Sequence, residues 1–165
     1  MYFESEKSPE APIEAGAEAA VPAEEAPLAA APEALRGALE KRGFEQLTAV
    51  QQSVAQADDG ARDLRISSQT GSGKTVAIGF ALAAKLVDPA RVGPTTLIIA
   101  PTRELAMQVR EELSWLFAGM KDVRCEVVTG GTNLDRERLR LQRKPSVLVG
   151  TPGRLLDHLR RGGLD

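Results

Sequence analysis

The stretch Ser68-Gln69-Thr70-Gly71-Ser72-Gly73-Lys74-Thr75 decides the reading of this chain. It follows a short run, Leu64–Ser67, that reads as a strand, and it precedes a helical run, Lys74–Val87. A glycine-rich turn between strand and helix turns successive backbone N–H groups inward. The helix N-terminus adds positive potential, which makes a cradle for phosphate. Lys74 is a mobile cation for the terminal phosphates, and the Thr75 hydroxyl is placed for the Mg2+ that travels with a nucleotide. The strict phosphate-loop pattern has glycine at the first position. Here that position is Ser68, small enough to permit the turn.

Working outward, strand-like and helical runs alternate. Strands are expected at Leu64–Ser67, Thr95–Ala100, Arg124–Thr129 and Ser146–Gly150. They are short and rich in Val, Ile and Leu, as buried parallel strands are. Helices are expected at Lys74–Val87, Arg103–Phe117, Leu134–Arg143 and Pro152–Arg161. Upstream, a helix starting at Pro32-Glu33 ends at Gly43, a second reaches about Ala57, and Asp58-Asp59-Gly60 reads as a turn. The pattern predicts an α/β fold, a mainly parallel sheet with helices on both faces.

In such sheets ligands bind at the carboxyl ends of the strands, so the loops there carry the functional reading. After the second expected strand comes Pro101-Thr102-Arg103, with Thr102 in position to cap a helix. After the third comes Gly130-Gly131-Thr132. After the fourth comes Thr151-Pro152-Gly153-Arg154, with threonine at the cap and proline in the first turn. Small and hydroxyl residues at three helix starts, two with an arginine, suit a row of phosphates and hence a nucleic acid.

These motifs, in this order, resemble the first RecA-like domain of the DEAD-box RNA helicases, over about residues 33–165. Phe44, Thr48 and Gln51 resemble the adenine-sensing Q motif, though Leu47-Thr-Ala-Val-Gln51 lacks that motif's two prolines. Ser68–Thr75 resembles motif I, Pro101–Ala106 motif Ia, Gly130-Gly131 the double-glycine motif, and Thr151–Arg154 motif Ib. The resemblance implies a three-layer RecA-like P-loop domain that binds ATP with Mg2+ and single-stranded or duplex RNA without sequence preference. It implies nucleotide contacts from Phe44, Gln51 and residues 68–75, with Lys74 and Thr75 in the catalytic role. RNA contacts would come from Pro101, Thr102, Arg103, Gly130, Gly131, Thr151 and Arg154. Gln51, able to give and take a hydrogen bond, would face the adenine edge.

The aromatic that the family stacks on adenine would fall near Glu25, where the sequence has Ala, Pro and Leu. The Asp-Glu-Ala-Asp segment does not occur in the chain. A domain incomplete at its C-terminal side, without turnover of its own, is therefore expected. Four strands would leave an open sheet edge and uncovered apolar surface. Two alternatives stay open: a non-hydrolysing nucleotide- or RNA-binding module, and a P-loop DNA helicase.

Composition sets the remaining bounds. The 165 residues suffice for one domain. The net charge of −2 hides an asymmetry, because residues 1–32 hold seven Glu against one Lys. Prolines at 9, 12, 22, 27 and 32 interrupt any helix there, so 1–32 reads as a disordered acidic leader. The remainder is mildly basic, compatible with a polyanionic partner. A single cysteine, Cys125, excludes an internal disulfide and reads as a core thiol. Without an apolar span or a secretory signal pattern, a cytoplasmic protein is the simplest expectation. His158 reads as a solvated or capping-side histidine, Trp115 and Phe117 as core. The basic run Arg136–Lys144 reads as a charged outer face resting on Leu134, Leu139 and Leu141.

Overall fold

The computed structural model describes residues 26–57, 63–87 and 94–164. The expected Asp58-Asp59-Gly60 turn and most of the acidic leader lie outside these residues. The described residues include an element before Pro32. Ala26–Pro27 (β1) pairs antiparallel with Gln46–Leu47 (β2), and Ala26 and Ala31 are buried in the core. The prolines that argued against a helix leave an extended strand and a short 3-10 turn open to this segment.

The helices are α1 (Glu33–Lys41), α2 (Ala49–Gln56), α3 (Lys74–Leu86), α4 (Arg103–Leu116), α5 (Leu134–Leu141) and α6 (Pro152–Arg160). The main sheet is parallel, β3 (Thr96–Ile99), β4 (Cys125–Val128) and β5 (Val147–Gly150), with β5 in the centre. All six helices and these three strands stand where the hydrophobic periodicity predicts. The expected strand at Leu64–Ser67 is not formed. Both sides of β5 are taken by β3 and β4, and no described strand lies beside residues 64–67. With polar Arg65 and Ser67 and a half-exposed Leu64, the run has little apolar surface to bury against the sheet.

Strand alternation sorts the core into two layers. Val147 and Val149 of β5, with Ile98 and Val127, face α1, α3 and α4, where Leu35, Leu39, Phe80, Leu113 and Leu116 are buried. Leu148 and Val128 face the other way, onto Leu141 of α5 and Leu155 of α6. Helices thus cover both faces, as expected for three layers. Cover on the second face stops short of β3, whose Leu97 and Ile99 are 55% and 61% exposed.

Phe117 packs in the core as expected, and Trp115 is only partly buried at its margin. Phe117 is fully buried, and Trp115 lies 5.9 Å from the Phe44 ring with Arg42 over its face. Cys125 is partly buried, and burial pushes its thiol up to about 11, against a hydrogen bond from Ser114. Among the described residues no helix is long and apolar enough to cross a membrane.

Candidate nucleotide and nucleic-acid sites

Ladder register sets the geometry. Ile99 and Val128 are both level with Gly150, so the loops that follow β3, β4 and β5 leave the sheet at one height. Those loops converge on a single cleft of about 600 Å³. Pro101, Thr102, Arg103, Gly130, Thr151 and Arg154 line it, joined by Gly153 and the acids Glu104 and Asp157.

Each wall has a local cause. Thr102 caps α4, its hydroxyl accepting from the Leu105 N–H at 3.2 Å. Arg103, at the first position of α4, extends its exposed guanidinium over Gly130 and Gly131. A Cβ at Gly131 would collide with that guanidinium, and Gly131 has φ +86°. The backbone requires glycine at this position, and any side chain there would also push the flexible Arg103 guanidinium aside. Thr151 and Pro152 open α6 as expected, but the Thr151 hydroxyl makes no cap bond. It is Asn133, not picked out from the sequence, that caps α5 by accepting from Arg136 N–H at 3.1 Å.

Arg154 differs from its expected setting. Its guanidinium donates to the Thr129 carbonyl (3.0 Å) and the Thr132 carbonyl (2.6 Å), and it pairs with Glu137 at 3.3 Å. Only a tenth of the side chain is exposed. In this geometry its guanidinium is spent bracing the double-glycine loop at the cleft wall.

The phosphate loop lies on the other core. Gly71 and Gly73 have φ +82° and +83°, the left-handed turns that the Gly-Ser-Gly spacing requires. Ser68 Oγ and Ser72 Oγ are 2.5 Å apart, so the first-position serine braces the loop. Lys74 Nζ donates to the carbonyls of Ser68 and Gln69, both at 2.6 Å. Its ammonium is folded over the cradle in which phosphates would sit. Thr70 forms part of the exposed tip of the turn, and Thr75 follows in the first turn of α3.

Thr48 and Gln51 fasten α2 to this loop. The Thr48 hydroxyl donates to the Ser72 carbonyl at 2.9 Å. Gln51 is 1% exposed. Its Oε1 accepts from Thr48 N–H at 3.0 Å, as in a capping box, and its Nε2 donates to the Gly73 carbonyl at 3.4 Å. The expected adenine-facing amide is therefore turned onto the phosphate loop. Phe44, packed on Trp115, lines a separate hollow of about 470 Å³ with Thr48 and residues 42–47. A larger apolar cavity of about 730 Å³, between α2 and α3, touches none of these loops.

A sequence model of the DEAD/DEAH box helicase family matches residues 48–165. The chain belongs to that family. Within it, the chain is 42% identical over 127 residues to the ATP-dependent RNA helicase DbpA of Bacillus subtilis, covering 77% of this chain and 26% of that protein. It is 41% identical over 128 residues to the ATP-dependent RNA helicase DeaD of Escherichia coli K12, covering 78% of this chain and 20% of DeaD. Among solved structures, a DEAD box protein from the hyperthermophile Methanococcus jannaschii superposes with a TM-score of 0.71 at 32% identity. That match covers 82% of this chain and 36% of the other. The yeast DEAD-box splicing factor Prp28 superposes at 0.70 and 30% identity, covering 79% and 32%. The fold is thus that of a DEAD-box RecA-like domain, and the chain spans about a quarter or less of its curated relatives.

The sequence missed one cluster beneath the cleft. His158 and Glu137 are each 1% exposed, not on a solvated face. His158 Nε2 lies 2.8 Å from Glu137 Oε2. The other oxygen, Oε1, accepts from Thr129 N–H at 3.1 Å and from the Thr132 hydroxyl. Leu139, expected inside, is 62% exposed. The signal was present. Leu134 and Leu141 are seven residues apart, and the helical stripe between them passes through position 137 rather than 139. Burial works upward on the Glu137 carboxyl. Hydrogen bonds from Thr132, His158 and Thr129, and the nearby Arg154 charge, outweigh it and hold the group below its ordinary value.

Proposed function

We propose that this chain is the ATP-binding and RNA-gripping unit of an ATP-dependent RNA helicase, which couples ATP hydrolysis to duplex unwinding. The observation that carries the RNA part is the single cleft formed where Pro101–Arg103, Gly130, Thr151, Gly153 and Arg154 meet at the carboxyl ends of the strands. Its donors are an exposed guanidinium, threonine hydroxyls and the backbone N–H groups at two helix starts. They suit a sugar–phosphate backbone and not base edges, so binding tolerates any sequence.

ATP is the proposed cofactor at Ser68–Thr75. The left-handed glycines and the open α3 N-terminus fit a chain of phosphates, and Lys74 must leave the Ser68 and Gln69 carbonyls to reach them. Mg2+ fits as an ion carried in by the nucleotide, with Thr75 as the protein's ligand; it would offset phosphate charge. Gln51 and Thr48 act by holding the loop carbonyls of Gly73 and Ser72. Phe44 supports that region from the Trp115 side. A cytoplasmic setting is proposed on the same reading.

Fluorescence anisotropy tests this with a labelled single-stranded RNA and a fluorescent ATP analogue. Lys74→Ala should weaken the nucleotide while sparing RNA. Arg103→Ala should weaken RNA about equally for all sequences and lower the salt slope by about one. Equal binding of wild type and Arg103→Ala at every salt concentration would sink the RNA assignment.

A further inference from the structure

Glu137 is in a costly place for a carboxylate, buried under the cleft on α5. What makes the burial tolerable is that both oxygens are occupied. Oε1 faces the Thr129 N–H and the Thr132 hydroxyl, while Oε2 faces His158 Nε2 and Arg154 Nε. These partners are not scattered. Thr129 and Thr132 bracket Gly130-Gly131, and Arg154 and His158 stand on successive turns of α6. Arg154 closes the circuit by donating to the carbonyls of both threonines. One carboxylate therefore joins both ends of the glycine loop to the helix that starts at Thr151.

We propose that Glu137 is a positioning residue for the nucleic-acid site, acting through Gly130-Gly131 and Thr151–Arg154 without touching the ligand. The inference rests on the RNA reading of the cleft and adds to it the group that keeps the cleft in binding shape. Two loops from different strands must present donors at fixed spacing to successive phosphates. A mobile glycine pair would lose that spacing. It would also leave the Arg103 guanidinium, which overlies both glycines, without a fixed seat. Arg154 in this arrangement serves as a strut between loop and helix.

The test uses the 165-residue chain with Glu137→Gln, which keeps the shape but replaces an acceptor with an NH2 facing two donors. A labelled oligouridine and a fluorescent ADP analogue report the two sites separately. RNA affinity should fall about tenfold or more, the usual effect of breaking a buried charged hydrogen bond. Nucleotide affinity should stay within about twofold, because the phosphate loop packs on the other core. The salt slope should match wild type, since no phosphate-contacting cation is removed. In NMR spectra the Gly130 and Gly131 amides should shift while Gly71 and Gly73 stay in place.

Unchanged or tighter RNA binding would overturn the proposal, since Arg154 would then have been held away from phosphate to no purpose. So would an equal loss of both ligands with shifts throughout the spectrum, the mark of a merely structural role. Should Glu137→Gln fail to fold, Thr132→Val removes the hydroxyl that reaches Glu137 and the Thr129 carbonyl, and carries the same expectation at smaller amplitude. If the wild-type chain binds no RNA, the functional reading fails, and the glycine amide shifts alone decide whether Glu137 sets the loop.

Discussion

Two glycines divide the chemistry between them. Gly73 and Gly131 both have left-handed backbones, and a Cβ on either would strike a polar side chain: the Gln51 amide at Gly73, the Arg103 guanidinium at Gly131. Replacement by alanine costs about 1–2 kcal/mol of backbone strain in each case. The functional losses should differ. Gly73→Ala should abolish nucleotide binding and spare RNA, while Gly131→Ala should do the reverse; paired titrations of each variant check this, and matching losses in both would contradict the separation of sites. Glu137 adds a pH signature. Its carboxyl is held below the ordinary value of 4.5, so its contribution to stability is complete above that pH and is lost as pH falls through the lower, folded value. Urea midpoints measured from pH 6 down to about 3 should fall more steeply for wild type than for Glu137→Gln; identical profiles would falsify this account. The glycines were legible because each motif requires them. The inward position of Glu137 was legible in the Leu134–Leu141 stripe, but its partners, the burial of His158 and the inward turn of Gln51 were not, because a buried polar group is specified by its partners and those come from distant positions.

At the scale of elements, the two threonines that begin α4 and α6 occupy equivalent positions with different duties. The Thr102 hydroxyl satisfies the Leu105 N–H, and the Thr151 hydroxyl caps nothing. Thr102→Ala should therefore cost about 1 kcal/mol of stability, and Thr151→Ala a few tenths at most. Chemical denaturation of the two variants measures the difference, and a Thr151 cost equal to that of Thr102 would show an unseen cap. Helix and strand positions were readable because period and termini agree along the sequence, as in α3 between Gly73 and Leu86. Leu64–Ser67 was misread because a short apolar run states only that it can be a strand. Whether it becomes one depends on a strand running beside it, and no described strand does.

Across the whole molecule, the layered α/β arrangement followed from the alternation of elements, and the three-loop cleft from strand order and register. How unequal the two cores are could not be read, because it depends on which side chains each helix finally covers. The larger core unites α1, α3 and α4 with one sheet face. The smaller consists of Val128, Leu141, Leu148 and Leu155, with Leu164 at its margin. That inequality has a consequence for the order in which the fold comes apart. Opening free energy follows buried apolar contact, so α5 and α6 should detach in a sub-global fluctuation while α1, α3 and α4 remain closed. Native-state hydrogen exchange should show the amides of Leu141 and Leu155 exchanging sooner than those of Leu39 and Leu113. A single rate for all four would mean that β5 binds the halves into one cooperative unit. On the expected result, the side of the cleft built on α5 and α6 is the softer one. RNA would then stabilise it by selecting its closed form, and a nucleotide on the stiffer half would protect it far less.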